Sequence, residues 1–456
     1  MVVVVTMTPA HAQNVSWSQP VYAETWQNGA FASARIHPYV EFQNLPLELM
    51  QISDAGTPGL VLSGGAEFTD DDDWDAPVTP YLTKISSTDG HALWSWQPEA
   101  TDPRFGRIWT MSADPAGNIL VAGFNHQSGE DSRYLVGKFD AATGQPIWLT
   151  NADALGTGGY AVAADAAGDV FLTFSAAEDG QFVSKFDGTT GSLIWTAELP
   201  QGRADLDDFR LTVDARGDVA AGGFYCDCDN AMEQTWGTQV QKFSGIDGAL
   251  LWSRRSSSPD FGIGLRSLQV FADGDVLVHG GVDRLARLAV ADGQPIWIQP
   301  ADGFEILYLL IVGNDRLFGA GFSWPDSAGT VVERIDATNG LALWRADSLS
   351  GTTSSATTLA FDTHSRLLVG WQTDSDFFNM GVSRLDADTG ALDWSAQFGS
   401  TAPASRGGIP LGVAASPDGV FVGTYASDNG TGHTWIVYAL ANAYADQIFA
   451  NGFELP

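Results

Sequence analysis

Three groups of residues have the types and spacing to do chemistry. Asp70, Asp71, Asp72, Asp73 and Asp75 crowd into EFTDDDDWDAP. Hard oxygen donors at that density suit Ca2+, although the run lacks the Asp-x-Asp-x-Asp-Gly order of a dedicated calcium loop. Cys226 and Cys228 are the only thiols, one residue apart in FYCDCDN. In an oxidising compartment that spacing reads as a Cys-x-Cys disulfide clipping a loop. Arg107, Arg254, Arg255 and Arg406 lie in stretches that vary along the chain. Guanidinium forks placed there would recognise carboxylates, so the expected small ligand is anionic.

Other chemistries are excluded by composition and spacing. The chain has 55 Asp plus Glu against 22 Lys plus Arg, a net charge of −33. That field repels a phosphate backbone, so nucleic acid is not expected as a partner. His37, His91, His126, His279, His364 and His433 stand singly, with no metal-ligand spacing. Arg216-Gly217-Asp218 spells an adhesion tripeptide, but Ala167-Gly168-Asp169 and Ala116-Gly117-Asn118 occupy the same kind of turn. Gly156-x-Gly158-x-x-Ala161 joins a strand to a strand, with no helix to receive a pyrophosphate. There is no Gly-x-Ser-x-Gly elbow and no Cys-x-x-Cys-His haem site.

What positions these groups is a repeat. KFDAATGQPIW ends at Trp148, and related phrases end at Trp94, Trp195, Trp252, Trp297, Trp344 and Trp394, at intervals of 54, 47, 57, 45, 47 and 50 residues. Each phrase is a hairpin: a period-two strand, an Asp-x-x-Thr-Gly turn, and a returning strand that ends on Trp. A second phrase, such as DPAGNILVAGF from Asp114 or DAAGDVFLTF from Asp165, supplies another hairpin and recurs eight times if weak copies are counted. Two hairpins make a four-stranded antiparallel unit, and that period is the one expected of propeller blades.

The expected fold is therefore all-β, an eight-bladed propeller, with seven blades as the alternative. Eight first hairpins against seven complete second ones leave one outer strand missing. VSWSQP around Trp17 matches ALWSWQP around Trp94, so residues 15 to 19 are expected to pair with the last blade near Trp435 to Leu440. The expected organisation is a truncated export leader over 1–12 ending in Ala10-His11-Ala12, one propeller over 13–440, and a tail over 441–456 as a possible sorting tag. No segment reaches the roughly twenty apolar residues of a membrane span.

The Asp-x-x-Thr-Gly-x-x-x-Trp phrase resembles the tryptophan-docking motif of the pyrroloquinoline quinone (PQQ) dehydrogenase-like propellers, over about residues 15 to 440. That superfamily includes quinoprotein alcohol dehydrogenases and a non-catalytic outer-membrane assembly lipoprotein. The resemblance implies that Trp94, Trp148, Trp195, Trp252, Trp297, Trp344 and Trp394, with Trp17 in the missing phrase, pack on neighbouring motifs. The alcohol dehydrogenases carry directly adjacent cysteines at the quinone, whereas an Asp separates Cys226 from Cys228 here.

Lys84, Lys138, Lys185 and Lys242, all four lysines, share one repeat position, which Arg287, Arg334 and Arg384 fill in other copies. A structural cation beside turn carboxylates is expected, leaving no lysine for Schiff-base chemistry. The hairpin turns are short and uniform, whereas the links on the opposite face differ in every copy. Function is expected on that variable face, with acidic loops around an arginine-bearing funnel. The functional expectation is an exported, monomeric, non-enzymatic scaffold for a protein or small anionic ligand. The alternative is a PQQ-dependent periplasmic dehydrogenase with Ca2+ in the funnel.

Overall fold

The computed structural model describes residues 14–21, 49–52, 59–67, 78–86, 91–98, 104–127, 133–151, 158–176, 180–199, 209–227, 235–257, 264–280, 284–300, 304–313, 316–323, 329–347, 349, 354–362, 364–373, 379–399, 405–416, 419–428 and 432–441. Every regular element among them is a β-strand, and the thirty-two strands form eight antiparallel sheets of four. Taken as blades in chain order, they span 49–96, 104–151, 158–199, 210–257, 265–300, 304–346, 354–399 and 405–441. No helix among the described residues is long and apolar enough to cross a membrane.

Blade 2 shows how the sequence makes the unit. Its first strand, Arg104–Ala113, returns as Ile119–Gln127 through DPAGN, where Asp114 Oδ1 accepts the N–H groups of Ala116 (2.9 Å) and Asn118 (2.8 Å). Its third strand, Arg133–Phe139, turns at Asp140, whose Oδ1 accepts both the N–H and the hydroxyl of Thr143 at 2.7 Å. The fourth strand, Pro146–Asn151, then lies at the free edge of the sheet. Gly144 closes this turn at φ 70°, a conformation that L side chains resist, and a Cβ there would come within 2.4 Å of the Trp94 ring.

Neither face of a blade can stay dry alone. Ile119 and Val121 point with Phe139 towards Val61 and Leu82 of blade 1, whereas Leu120 and Ala122 pack on Val170 and Leu172 of blade 3. Alternate residues of one strand thus fill two different seams. Each such aliphatic side chain removed from water contributes about 1.5–3 kcal/mol, which is gained only when the neighbour is present.

The first strands of successive blades lie side by side around the centre, and that of blade 8, Ser405–Ser416, meets Leu49–Ile52 of blade 1 to close the ring. Blade 8 takes its fourth strand from the other end of the chain. Asn14–Val21 pairs antiparallel with Gly432–Ala441, placing Val15 opposite Leu440, Trp17 opposite Ala439 and Val21 opposite Trp435.

The seams are pinned by one recurring node. Trp148 Nε1 donates to the Gly188 carbonyl in the next blade's Asp-x-x-Thr-Gly turn (3.2 Å), and Lys138 Nζ donates to the same oxygen (2.9 Å) while pairing with Asp114 of its own blade (2.7 Å). Lys84 and Trp94 share the Ala141 carbonyl, Lys185 and Trp195 that of Gly245, and Arg287 and Trp297 that of Ala337. Trp252 docks on the Val290 carbonyl and Trp344 on that of Ala387. In blade 5 a Phe stands where blades 2, 3, 4 and 7 have the first-turn Asp114, Asp165, Asp214 and Asp362. There Arg287 replaces Lys, lies 4.3 Å over the Phe271 ring and takes Asp273 and Asp275 as counter-ions.

Two outcomes follow from this construction. Deleting residues 14–21 strips blade 8 of its outer strand and leaves Gly432–Ala441 as an unpaired edge, so the melting temperature should fall clearly and aggregation should begin earlier on heating. An unchanged calorimetric transition would contradict that role. Lys242 and Asp214 are each only 1% exposed and sit 2.6 Å apart. Lys242→Ala should therefore cost about 3–5 kcal/mol by stranding the carboxylate, and adding Asp214→Asn should recover part of the loss in denaturant titrations.

Candidate functional site

The first strands begin on the face where blades are linked and end at the uniform turns. In blades 2, 3, 5, 6 and 7 the strand register slips by one, five residues before the first-turn position. The bulged residue is Trp109 in blade 2, Tyr160 in blade 3, Arg266 in blade 5, Leu307 in blade 6 and Thr357 in blade 7, and Phe209 has the same place in blade 4. A bulge re-aims its side chain, here sideways towards the next blade.

On blades 2 to 6 these side chains follow one another from first strand to first strand as an arc around the centre. Trp109 stacks on Tyr160 with ring centroids 5.2 Å apart, and Tyr160 lies 5.5 Å from Phe209. Arg210 continues the arc, donating from Nε to the Arg266 carbonyl (3.2 Å) and from Nη1 to the Phe209 carbonyl (2.9 Å). Arg266 pairs with Glu305 of blade 6 at 2.6 Å and reaches the Ile306 carbonyl at 3.5 Å. Further along the first strand of blade 6, Tyr308 is 40% exposed, yet burial raises its phenol pKa. The arc offers aromatic surface from Trp109 and Tyr160, backed by the buried Phe209, and then cations already engaged by carbonyls and a carboxylate.

The residues singled out from sequence are distributed differently. Arg107 lies on the first strand of blade 2, two residues before Trp109, and Arg406 on the first strand of blade 8. Arg254 and Arg255 do not join them, which corrects the expected four-arginine funnel. They belong to the fourth strand of blade 4, Leu250–Ser257, at the outer edge of the sheet. The strand simply runs past the tryptophan, pairing Arg254 with Val240 and Arg255 with Gln239. Arg254 Nε donates to the Gly293 carbonyl at 2.9 Å, and Arg255 Nε to Gln239 Oε1 at 2.8 Å. Asp70, Asp71, Asp72, Asp73 and Asp75 lie outside the described residues, as does Cys228. Cys226 is in the second strand of blade 4, opposite Trp236. Among the described residues no group of three His, Cys, Asp or Glu is placed to hold a metal.

His279 stands behind the arc, opposite Ser267 in the strand pairing of blade 5. It is wholly buried with neither ring nitrogen hydrogen-bonded, in a position filled by Ala122, Thr173, Gly222, Ala320 and Gly370 elsewhere. Burial, assisted by the Arg266 cation, pulls its pKa down to about 3.

Comparison with known proteins places this architecture. The sequence model of a family described as outer membrane protein assembly factor BamB matches residues 132–306. No curated protein matches the chain. A europium-containing methanol dehydrogenase is similar in structure, with a TM-score of 0.54 and 11% identity, covering 94% of this chain and 93% of its own. The computationally designed Ika8 protein gives 0.51 at 14% identity, covering 89% and 100%. BamB from Moraxella catarrhalis gives 0.48 at 15% identity, covering 86% and 95%. The chain has the fold of the PQQ-like β-propeller superfamily.

His279 makes the site's pH response testable. An unfolded imidazole binds its proton below about pH 6.5, whereas the folded one stays neutral down to about 3, so its contribution is complete above 6.5 and is lost as pH falls. Melting temperature should decline between about pH 6.5 and 4.5, above the carboxylate range. In His279→Ala, the residue used at Ala122 and Ala320, that slope should nearly vanish, whatever the variant's absolute stability.

Proposed function

We propose that this chain is a non-catalytic, exported, monomeric binding scaffold that holds an anionic ligand, or an acidic segment of a protein, at the mouth of the ring, where its first strands begin. The observation that carries this reading is the arc. Trp109, Tyr160, Phe209, Arg210 and Arg266 reach from strand to strand and brace the mouth as a rigid rim. Such a rim loses little freedom when something binds to it. Arg107 lies beside the aromatic end of the arc, and Arg406 lies on a first strand separated from it by blade 1 alone. The assembly-factor description of the matching family supports a binding role and export.

A bound quinone would place its charged groups against the same residues. Its carboxylates need guanidinium forks with open donors, but Arg210 and Arg266 are committed to Phe209, Arg266, Ile306 and Glu305, and Arg254 and Arg255 are on the perimeter. These four arginines offer a quinone's carboxylates no open fork, which leaves Arg107 and Arg406 to meet them.

Replacing Arg107 and Arg406 together by alanine should weaken binding of citrate relative to its triamide, while stability stays within about 1 kcal/mol. Protein purified from its native source should release no quinone on denaturation, as judged by absorbance and mass analysis. Carboxylates that bind no better than neutral amides, or a released quinone, would overturn the reading.

A further inference from the structure

The perimeter of the ring carries a second surface, remote from the mouth. The fourth strand is the free edge of its sheet, and its register slips immediately before the docking tryptophan. The residues bulged outward there are Ile147, Ile194, Leu251, Ile296 and Leu343, between 44% and 56% exposed. A bulge blunts an edge against pairing with other strands. That task does not require an apolar residue, and blade 7 has Asp393 in the same place.

At the seam between blades 3 and 4 these side chains become a patch. Leu193 (52% exposed) precedes Ile194, and Leu250 (52%) precedes Leu251. Between the two pairs lies Ile246, 86% exposed, where the equivalent turns have Ala142, Thr189, Ala291, Thr338 and Asp388. The seam itself brings the pairs together. Trp195 Nε1 donates to the Gly245 carbonyl at 3.3 Å and its ring covers Gly248, holding the start of one outer strand against the turn that opens the next. Single exposed aliphatics are ordinary, but five on adjoining elements mark an interaction surface.

We propose that this patch docks a segment of a different protein, one whose aliphatic residues are flanked by lysine or arginine. Charge selects that occupant. At −33, two copies of this chain repel each other, and an anionic bilayer is repelled as well. Asp187 and Asp247 border the patch in its two turns. The N–H and hydroxyl of Thr190 hold Asp187, and Ser244 with the Ala249 N–H hold Asp247, so both carboxyls sit below their usual range and stay ionised. An apolar anchor with a cationic neighbour satisfies both features, whereas the carboxylates repel an acidic segment and add nothing to the hold on an uncharged one.

The test uses the full chain and a labelled extended peptide alternating leucine and lysine, with an alternating leucine and glutamate peptide as control. Ile246→Asp and Leu250→Ala install residues the chain already uses at the equivalent places, Asp388 and Ala342, so both variants should fold, which a melting curve verifies. Ile246→Asp also strengthens bare attraction to a cation, so a loss of affinity reports the apolar contact. The double variant should bind the leucine–lysine peptide about tenfold more weakly, Ala142→Asp on blade 2 should bind it unchanged, and the control peptide should not bind. Equal affinity of parent and double variant would overturn the proposal. So would a dimer in sedimentation, or association with phosphatidylcholine or phosphatidylglycerol vesicles, that the double variant abolishes.

Discussion

A carbonyl oxygen with two lone pairs holds this ring together. In each fully formed seam the turn carbonyl of one blade accepts an indole N–H and a cation from the blade before, and the cation also holds a first-turn carboxylate of its own blade. Three segments far apart in the chain meet at one atom. A neutral hydrogen bond contributes about 1 kcal/mol and a charge-assisted one about 1.5–3, so each node is modest by itself. Its weight comes from position. It fixes the register between blades, and register decides whether Ile119 and Leu120 find the seams they are shaped to fill.

The same node explains what was legible in the sequence. A hairpin that must place a cation, a turn glycine and a tryptophan at fixed offsets cannot vary them, so the phrase recurs and the blades can be read from it. The arc was not read because no phrase marks the first strands. Its members share only a place, five residues before the first-turn position, and the occupants Trp109, Tyr160, Phe209 and Arg266 differ in type. Aligning the copies on Asp114, Asp165 and Asp214 would have shown three aromatics in succession. Arg254 and Arg255 were misplaced for a different reason. An outer strand faces solvent and is polar, so Ser-Arg-Arg-Ser-Ser reads like a link until its pairing with the third strand is seen.

Repetition therefore separates two kinds of residue. Positions that serve the seams are alike in most blades, and a departure can be compensated nearby, as when Phe271 replaces an aspartate and Arg287 replaces lysine to stack on it. The bulge column and the residue at Ile246 show no such compensation. They differ from their equivalents while the surrounding geometry stays constant, which is how a repeated frame acquires a distinct mouth and a distinct perimeter without disturbing its core.

The acidity of the chain is the complement of that frame. All four lysines, with Arg287, Arg334 and Arg384, occupy the seam position, and Lys84, Lys242 and Arg384 are almost wholly buried there. Basic residues committed to the interior cannot neutralise the surface, where the turn aspartates Asp140, Asp187, Asp247 and Asp336 remain as carboxylates held ionised by their own turn hydrogen bonds. The resulting repulsion opposes compaction over the whole surface, whereas the seam pairs act at contact in a medium of lower dielectric, where attraction is stronger and salt screens it less. The seven cations placed at the seams thus set a short-range attraction against the long-range repulsion of a net charge of −33, and the exposed turns keep their carboxylates for whatever cation approaches them.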